Sequence, residues 1–153
     1  MSTYVLALLI GVVAGLRALT PLAAVSWAAR WGWLHLDNTW LAFLGFAATP
    51  YIVSVLAIGE LINDKLPKTP SRKAPPGFAA RIVTGTLCGA ALAASQSVFG
   101  GLLAGALGAV GGTRGGYEFR ARLVRAIGGK DLPIALLEDA IAVGGAFLIV
   151  SRF

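Results

Sequence analysis

The chain has 153 residues, of which 57% are hydrophobic and only 13% are charged, and its mean hydropathy is +0.78. A soluble domain carries charge on about a quarter of its residues, so this chain has too few charged side chains to cover a surface exposed to water. The composition excludes an ordinary soluble domain and predicts an integral membrane protein, an all-α bundle of transmembrane helices whose main partner is the lipid bilayer.

The net charge of +6 would suggest nucleic acid as the partner of a soluble protein. In a membrane protein, basic cytoplasmic loops account for such a charge. No basic-aromatic surface or reader motif accompanies it, so we expect no nucleic-acid partner. A single cysteine, Cys88, excludes a disulfide within the chain. The sole histidine, His35, has no second histidine or acidic cluster nearby, so we expect no metal site and no cofactor.

The apolar runs predict about five membrane crossings within a single domain of residues 1–153, because one crossing takes about 20 apolar residues. The predicted crossings are residues 4–19, 50–66 (or 41–62), 78–97, 99–116 and 132–151. Thr20-Pro21 and Thr49-Pro50 are both typical helix starts, with threonine as the N-cap and proline at the first helical position. The beginning of the second crossing stays open between Leu41 and Pro50.

Three segments lie between the predicted crossings. All four tryptophans fall within residues 22–40, and tryptophan concentrates at the membrane–water interface, so we expect a short interfacial helix and a loop there. The prolines of residues 67–77 exclude a regular helix and predict a loop. Residues 117–127 form a basic, amphipathic extension of the fourth crossing, which we expect to end at Gly128-Gly129.

Basic residues concentrate in two of the predicted connections. They are Lys65, Lys68, Arg72, Lys73 and Arg81 in the first, and Arg120, Arg122, Arg125 and Lys130 in the second. Short loops that carry Lys and Arg stay on the cytoplasmic side. With five crossings, this rule predicts a cytoplasmic N-terminus and a C-terminus outside.

A short motif occurs twice. Residues 11–18 and 108–115 both read G-x-V-x-G-x-R followed by a small residue. In the predicted topology the first crossing runs outward and the fourth inward, so the two copies would form an inverted repeat of the kind that marks many transporters. The alternative is coincidence in a chain rich in glycine, alanine and valine.

Eight glycines recur at spacings that leave one helix face free of side chains. They are Gly11, Gly15, Gly85, Gly89, Gly101, Gly105, Gly108 and Gly112. Such faces let helices approach closely in lipid. The pattern predicts close helix packing within the chain or in a homo-oligomer.

Six charged residues lie within or beside the apolar helices and form a candidate polar pathway. They are Arg17, Glu60, Asp64, Arg114, Glu138 and Asp139. A charge at the bilayer centre costs about 3 kcal/mol or more, so such residues face the bundle interior and pair. We expect Arg114 to pair with Glu138 or Asp139. The alternatives are arginines that extend to the membrane surface and an ion pair with a purely structural role.

These features favour a small transporter or channel for a small ion or polar solute, working as a homo-oligomer, over an enzyme. A second hypothesis is a membrane enzyme acting on a lipid phosphate, with Ser71 and Arg72 as the headgroup or phosphate contacts. Glu60-x-x-x-Asp64 followed by Pro70-Ser71-Arg72 resembles, in part, the motifs of undecaprenyl-pyrophosphate phosphatases. A third hypothesis is a non-catalytic scaffold that binds other membrane proteins through its glycine faces.

Four segments carry a broader resemblance. Residues 15–33 (GLRALTPLAAVSWAARWGW), 59–77 (GELINDKLPKTPSRKAPPG), 85–94 (GTLCGAALAA) and 136–144 (LLEDAIAVG) are similar to the bacterial membrane family catalogued as domain of unknown function 4126. The resemblance covers nearly the whole chain and implies a small polytopic protein of the bacterial inner (plasma) membrane. It supplies neither a substrate nor catalytic residues.

Overall fold

The computed structural model describes residues 2–37, 39–63, 75–129 and 131–153. These residues form six α-helices and one short 3₁₀ helix, Ala42–Gly45, and they contain no β-strand. The α-helices are α1 (Thr3–Leu16), α2 (Leu19–Arg30), α3 (Thr49–Asn63), α4 (Pro75–Leu92), α5 (Val98–Ala126) and α6 (Asp131–Val150). The predicted all-helical fold class is confirmed.

Residues 22–40 were expected to form a short helix and a loop, and the structure has α2 followed by a loop. Helix α2 begins earlier than predicted, at Leu19, and it packs against α3, α4 and α6. Its expected position at a membrane interface stays a prediction. Pro21 fits within its first turn, because the first N–H groups of a helix have no partner inside the helix. α1 ends at Leu16, earlier than predicted, since Arg17 has an extended backbone (φ −143°, ψ 115°).

The other helices lie close to the predicted crossings. α3 begins at Thr49, so the Thr49-Pro50 pair starts this helix and Leu41 does not. α5 continues without a break through the basic extension and ends before Gly128-Gly129, where both glycines have positive φ (85° and 89°). Most of the predicted loop of residues 67–77 lies outside the described residues, and α4 already begins at Pro75.

Among the described helices, only α6 contains a segment long and apolar enough to cross a membrane, Leu132–Val150. The apolar helices Thr3–Leu16, Thr49–Asn63 and Gly77–Leu92 are shorter. At 1.5 Å per residue, α1 is about 21 Å long, against about 30 Å for the hydrocarbon core of a bilayer. The predicted bundle of five crossings is therefore not confirmed.

Helices α1, α4 and α5 form the centre of the fold, and all eight glycines of the predicted packing faces lie where two of them meet. A Cβ atom added at Gly105 of α5 would overlap the carbonyl oxygen of Gly85 in α4, and one added at Gly11 of α1 would overlap the carbonyl oxygen of Gly105. The backbones touch because no side chain separates them. These glycine faces are consequently used within the chain.

The helix directions follow from these contacts. Tyr4, near the start of α1, lies against Gly100, near the start of α5. Gly15, near the end of α1, lies against Thr113, far along α5. Helices α1 and α5 therefore run parallel. The predicted inverted repeat is wrong for these two segments, because α2 adds a reversal of the chain that the predicted topology lacked.

The two copies of the repeated motif make equivalent contacts with each other across the interface between α1 and α5. The repeat equates Gly11 with Gly108 and Gly15 with Gly112. Each of these glycines faces a backbone carbonyl of the other helix, as follows: Gly11 on Gly105, Gly108 on Leu8, Gly15 on Ala109, and Gly112 on Val12. Exchanging α1 with α5 reproduces the same set of contacts. The two copies are thus related by a local two-fold axis that runs along the helices.

The remaining directions place the two chain ends together. The side chain of Arg17 contacts Asp139 in the first half of α6, while Val13 lies against Gly145 further along. Helices α1 and α6 are therefore antiparallel, so the start of α1 and the end of α6 lie at the same end of the bundle. The side of a membrane that each terminus faces stays a prediction.

Candidate functional site

The break between α1 and α2 is built around a buried arginine. The side chain of Arg17 has no exposed surface. Its backbone N–H donates to the carbonyl oxygen of Val13 (2.8 Å) and closes the last turn of α1. Its Nη1 donates to the carbonyl oxygen of Leu16 (2.8 Å), which the end of the helix leaves without an intrahelical donor. The arginine therefore terminates α1 with both its backbone and its side chain.

The guanidinium of Arg17 also pairs with two acids of α6. Its Nε donates to Oδ1 of Asp139 at 2.7 Å, and its Nη2 lies 2.7 Å from the same oxygen. Its Nη1 lies 3.4 Å from Oε1 of Glu138. A buried charge is tolerated when it is paired and hydrogen-bonded. The short contacts to Asp139 make this residue the principal partner of Arg17.

Glu138 lies between two arginines, Arg17 and Arg120. Its Oε1 is 3.4 Å from Nη1 of Arg17, and its Oε2 is 3.4 Å from Nη1 of Arg120, on α5. Its side chain is only 9% exposed. Charge-assisted N–H···O bonds are usually 2.7–2.9 Å long. Both of these contacts of Glu138 are longer than that range.

Glu60, on α3, lies next to this cluster and accepts hydrogen bonds from the backbone at the start of α2. Its Oε2 accepts from the N–H of Ala18 (3.0 Å), and its Oε1 accepts from the N–H of Leu19 (3.1 Å). These are the first donors of α2, and a negative charge is stabilising at a helix N-terminus. Glu60 thus fixes the start of α2 directly after the buried Arg17.

Replacing Glu60 by alanine is expected to lower the free energy of unfolding by about 1–2 kcal/mol, the upper range for a lost N-terminal cap. The two N–H groups of Ala18 and Leu19 would lose their acceptor in a partly buried place. Denaturation of the purified protein in mixed detergent micelles measures the change. Glu118→Ala, at an exposed position of α5, is the control, and equal stability of the two variants would contradict this role of Glu60.

A small cavity is lined in part by Glu138 and Arg120. Its volume is about 40 Å³, and its walls are Leu16, Gly116, Phe119, Arg120, Ile134, Leu137, Glu138 and Ile141. One water needs about 10–15 Å³ of such volume. The cavity therefore has room for a few waters or one small ion. Arg120 and Glu138 contribute to its lining, but almost all of the surface that faces the cavity is apolar.

The comparisons with known proteins identify the family and nothing beyond it. The family model described as Domain of unknown function (DUF4126) matches residues 4–151. The chain belongs to this family. The resemblance seen in the sequence is thereby confirmed, and no curated protein and no solved structure matches this DUF4126 chain.

The structure brings together four of the six predicted pathway residues of this DUF4126 protein: Arg17, Glu60, Glu138 and Asp139. Arg114 is exposed on α5, and within the described part of the chain no ion pair joins it to Glu138 or Asp139. The expected Arg114 pair is therefore not seen, because Arg17 occupies that place. Asp64, Ser71 and Arg72 lie outside the described residues.

Sequence reasoning missed Arg120 as a member of the cluster and treated it as one of several loop charges. A signal was present, because Gly108, Gly112, Gly116 and Arg120 follow one another at intervals of four residues. Residues four apart lie on the same helix face. Arg120 therefore continues the face by which α5 packs into the bundle.

Proposed function

We propose that this DUF4126 protein is a small membrane-embedded transporter or channel for a small ion, with Glu138 as the group where the ion binds. The observation that carries the proposal is the position of Glu138: a buried carboxylate, held at 3.4 Å by each of two arginines, on the wall of a cavity. Intramembrane ionisable groups that face the bundle interior mark ion pathways.

The distribution of side chains supports placement in a membrane. Large apolar residues point outward, among them Val55 (69% exposed), Leu107 (68%) and Leu148 (59%). The interior holds glycine, alanine and the charged Arg17 alongside buried apolar side chains such as Ile10 and Leu41. Extended apolar surface of this kind is a liability in water, whereas small residues at helix contacts are typical of bundles in lipid.

The helix break at Arg17 supports transport in particular. Transporters commonly bind their ions where a membrane helix is discontinuous, because the broken ends leave backbone N–H and C=O groups near the site. Here α1 and α2 meet at Arg17, with the carbonyl of Leu16 and the N–H of Ala18 both bound by charged side chains. The break and the charge cluster thus coincide.

The charged end of the bundle is proposed to face the cytoplasm, in keeping with the positive-inside rule. Arg17, Arg81 and Arg120 belong to this end, while Trp31 and Trp33 lie beyond the far end of α2. With the observed helix directions, both termini then lie outside. A homo-oligomer stays a prediction, and it would need a surface other than the eight glycines packed inside the chain.

The proposal is tested by ion flux through the purified full-length protein in liposomes. Glu138→Leu replaces the binding carboxylate by an apolar side chain of similar size. It is expected to lower the flux of any permeant ion by about tenfold or more, the size of effect that follows loss of one partner in a buried charge pair. Glu118→Leu, at an exposed position of α5, should retain the wild-type flux.

Circular dichroism and elution as a single species verify that the variants fold. If Glu138→Leu does not fold, Glu138→Gln keeps the shape of the side chain and must change either the flux or its dependence on pH. Wild-type behaviour of the folded Glu138 variants would contradict the proposal. So would the absence of flux for a broad panel of cations and anions.

A further inference from the structure

We infer that the charged end of the bundle binds anionic phospholipid of the cytoplasmic leaflet. The binding surface is a helical hairpin, the basic hairpin, which consists of residues 116–126 of α5 and residues 131–137 of α6. The inference rests on the proposed membrane placement and does not need ion transport. It is carried by the projection of the hairpin beyond the other helices, by its exposed apolar side chains and by its exposed arginines.

Helix α5 extends further than α1 and α4 at this end of the bundle. Helix α4 runs antiparallel to α5, and its Gly85 meets Gly105. The first residue of α4 therefore lies level with a residue about ten positions after Gly105. Helix α1 ends near the same level, because its Gly15 lies against Thr113. Residues 116–126 of α5 thus project by about 16 Å, at 1.5 Å per residue.

The first part of α6 lies beside this extension. Helix α6 is antiparallel to α5, begins at Asp131, and contacts Arg120 of α5 through Glu138. The residues of α6 that precede Glu138 therefore lie next to the last turns of α5. The two segments together form the basic hairpin at the charged end of the bundle.

The projection leaves apolar side chains of the basic hairpin exposed. Phe119 follows Gly105 and Gly112 at intervals of seven residues, so it continues the face by which α5 meets α4 and α1. Phe119 is nevertheless 56% exposed, because both of those helices have ended. Leu132 and Leu136 of α6 are also exposed, by 56% and 53%. Apolar side chains next to basic ones are typical of helices at the boundary between headgroups and acyl chains.

Three exposed arginines lie along the outer side of α5: Arg114, Arg122 and Arg125. With 3.6 residues per turn, they fall within about a quarter of the helix circumference. Glu118 lies on the same side, so positive charge is in excess there. Among the described residues, no carboxylate pairs with any of these three arginines. Because guanidinium groups bind phosphate oxygens in a bidentate manner, this side of α5 is complementary to anionic headgroups.

The arginines continue an apolar stripe of the same helix. Leu103 and Leu107 of α5 are exposed by 51% and 68%, and Leu107 precedes Arg114 by two helical turns on the same side. The exposed side of α5 thus changes from apolar to basic, as membrane helices do where they leave the hydrocarbon core. Basic residues directly beyond a membrane helix attract anionic lipid of the cytoplasmic leaflet. This continuity favours lipid over a soluble acidic protein, because a single surface then meets the bilayer and its headgroups.

The test measures how strongly the full-length protein prefers anionic lipid in liposomes that contain phosphatidylglycerol and phosphatidylcholine. Electron spin resonance of spin-labelled forms of both lipids gives the fraction of each that contacts the protein. We expect the protein to favour contact with phosphatidylglycerol by about fivefold or more. This preference should fall towards equal contact in about 1 M salt, where exposed charges are screened. A preference that does not respond to salt would overturn the inference.

Two pairs of exposed arginines provide matched variants. Arg122→Gln with Arg125→Gln removes two charges from the basic hairpin and should bring the preference to within about twofold of equal contact. Arg122→Lys with Arg125→Lys keeps the charges and should keep most of the preference. Arg30→Gln with Arg152→Gln removes the same charge from exposed positions at the opposite end of the bundle and should also keep it. Equal losses from the two glutamine pairs would overturn the inference, because they would show a response to net charge alone.

The other outcomes separate lipid from other occupants of the surface. If the preference disappears together with a dimer, judged from the particle mass, the surface belongs to a second copy of the chain and the inference is overturned. Competition by inorganic phosphate at unchanged ionic strength would assign the arginines to free phosphate and would also overturn it. Lipid that contacts the protein without preference for phosphatidylglycerol would overturn this inference alone. Absence of any contacting lipid would overturn the proposed membrane placement, and with it the proposed function.

Discussion

Arg17→Met is expected to lower the free energy of unfolding by about 3–5 kcal/mol, the cost of removing one partner from a buried ion pair. Methionine keeps the unbranched length of the side chain but leaves Asp139 without its 2.7 Å partner in the protein interior. The carbonyl of Leu16 loses a donor as well. Unfolding in mixed detergent micelles, followed by circular dichroism, measures the loss.

The internal repeat supplies a matched control for this prediction. Arg114 is the equivalent of Arg17 in the second copy of the motif, but it is exposed on α5. Arg114→Met should therefore leave stability nearly unchanged. The double variant Arg17→Met, Asp139→Asn should recover part of the loss, because it removes the unmatched charge. Equal stability of Arg17→Met and Arg114→Met would refute a structural role for the buried pair.

Gly105→Ala should have an effect at least as large. The added methyl group would overlap the carbonyl oxygen of Gly85 on α4, and a backbone atom cannot turn aside as a side chain can. Overpacking against side chains costs about 1–3 kcal/mol, so we expect this substitution to exceed that range and to separate α4 from α5. The measurement is the yield of monodisperse protein together with its midpoint of detergent unfolding.

Gly111→Ala, on the same helix, is the control for that experiment. A Cβ atom at Gly111 has no neighbouring atom within 4 Å. Alanine stabilises a helix interior by up to about 1 kcal/mol relative to glycine, so this variant should be as stable as the wild type or slightly more stable. If Gly105→Ala behaves in the same way, the close approach of α4 and α5 is not present in the folded protein.

Local patterns in the sequence predict the helices of this protein well. Apolar runs mark most of the helix positions, and the Thr49-Pro50 pair marks the start of α3. The sequence did not reveal that α2 packs against three other helices, because Trp27 and the tryptophans of the loop after it are typical of an interface. The composition of a segment indicates its surroundings only on average. Whether a given helix is buried against other helices depends on the tertiary packing.

Partners distant in sequence are harder to predict than helices. The charges Arg17, Glu138 and Asp139 were recognised as a group that must pair, yet Arg114 was chosen as the basic partner. Arg17 and Asp139 are 122 residues apart, and their contact depends on α1 and α6 being antiparallel neighbours. No local periodicity carries that information. The same ambiguity led the repeat to be read as inverted.

The backbone contacts among α1, α4 and α5 have a mechanical consequence. Helices that touch through glycine and carbonyl oxygen cannot slide past one another without a steric clash. We therefore expect α1, α4 and α5 to keep their relative positions. Helix α6 has no such backbone contact at its glycines. A Cβ atom added at Gly145 would meet only a methyl group of Val13, and one added at Gly144 would meet no atom within 4 Å. Helix α6 also comes after the turn that contains Gly128, which has positive φ. Among these helices, α6, which carries Glu138, therefore has the least backbone contact to resist a shift relative to the others.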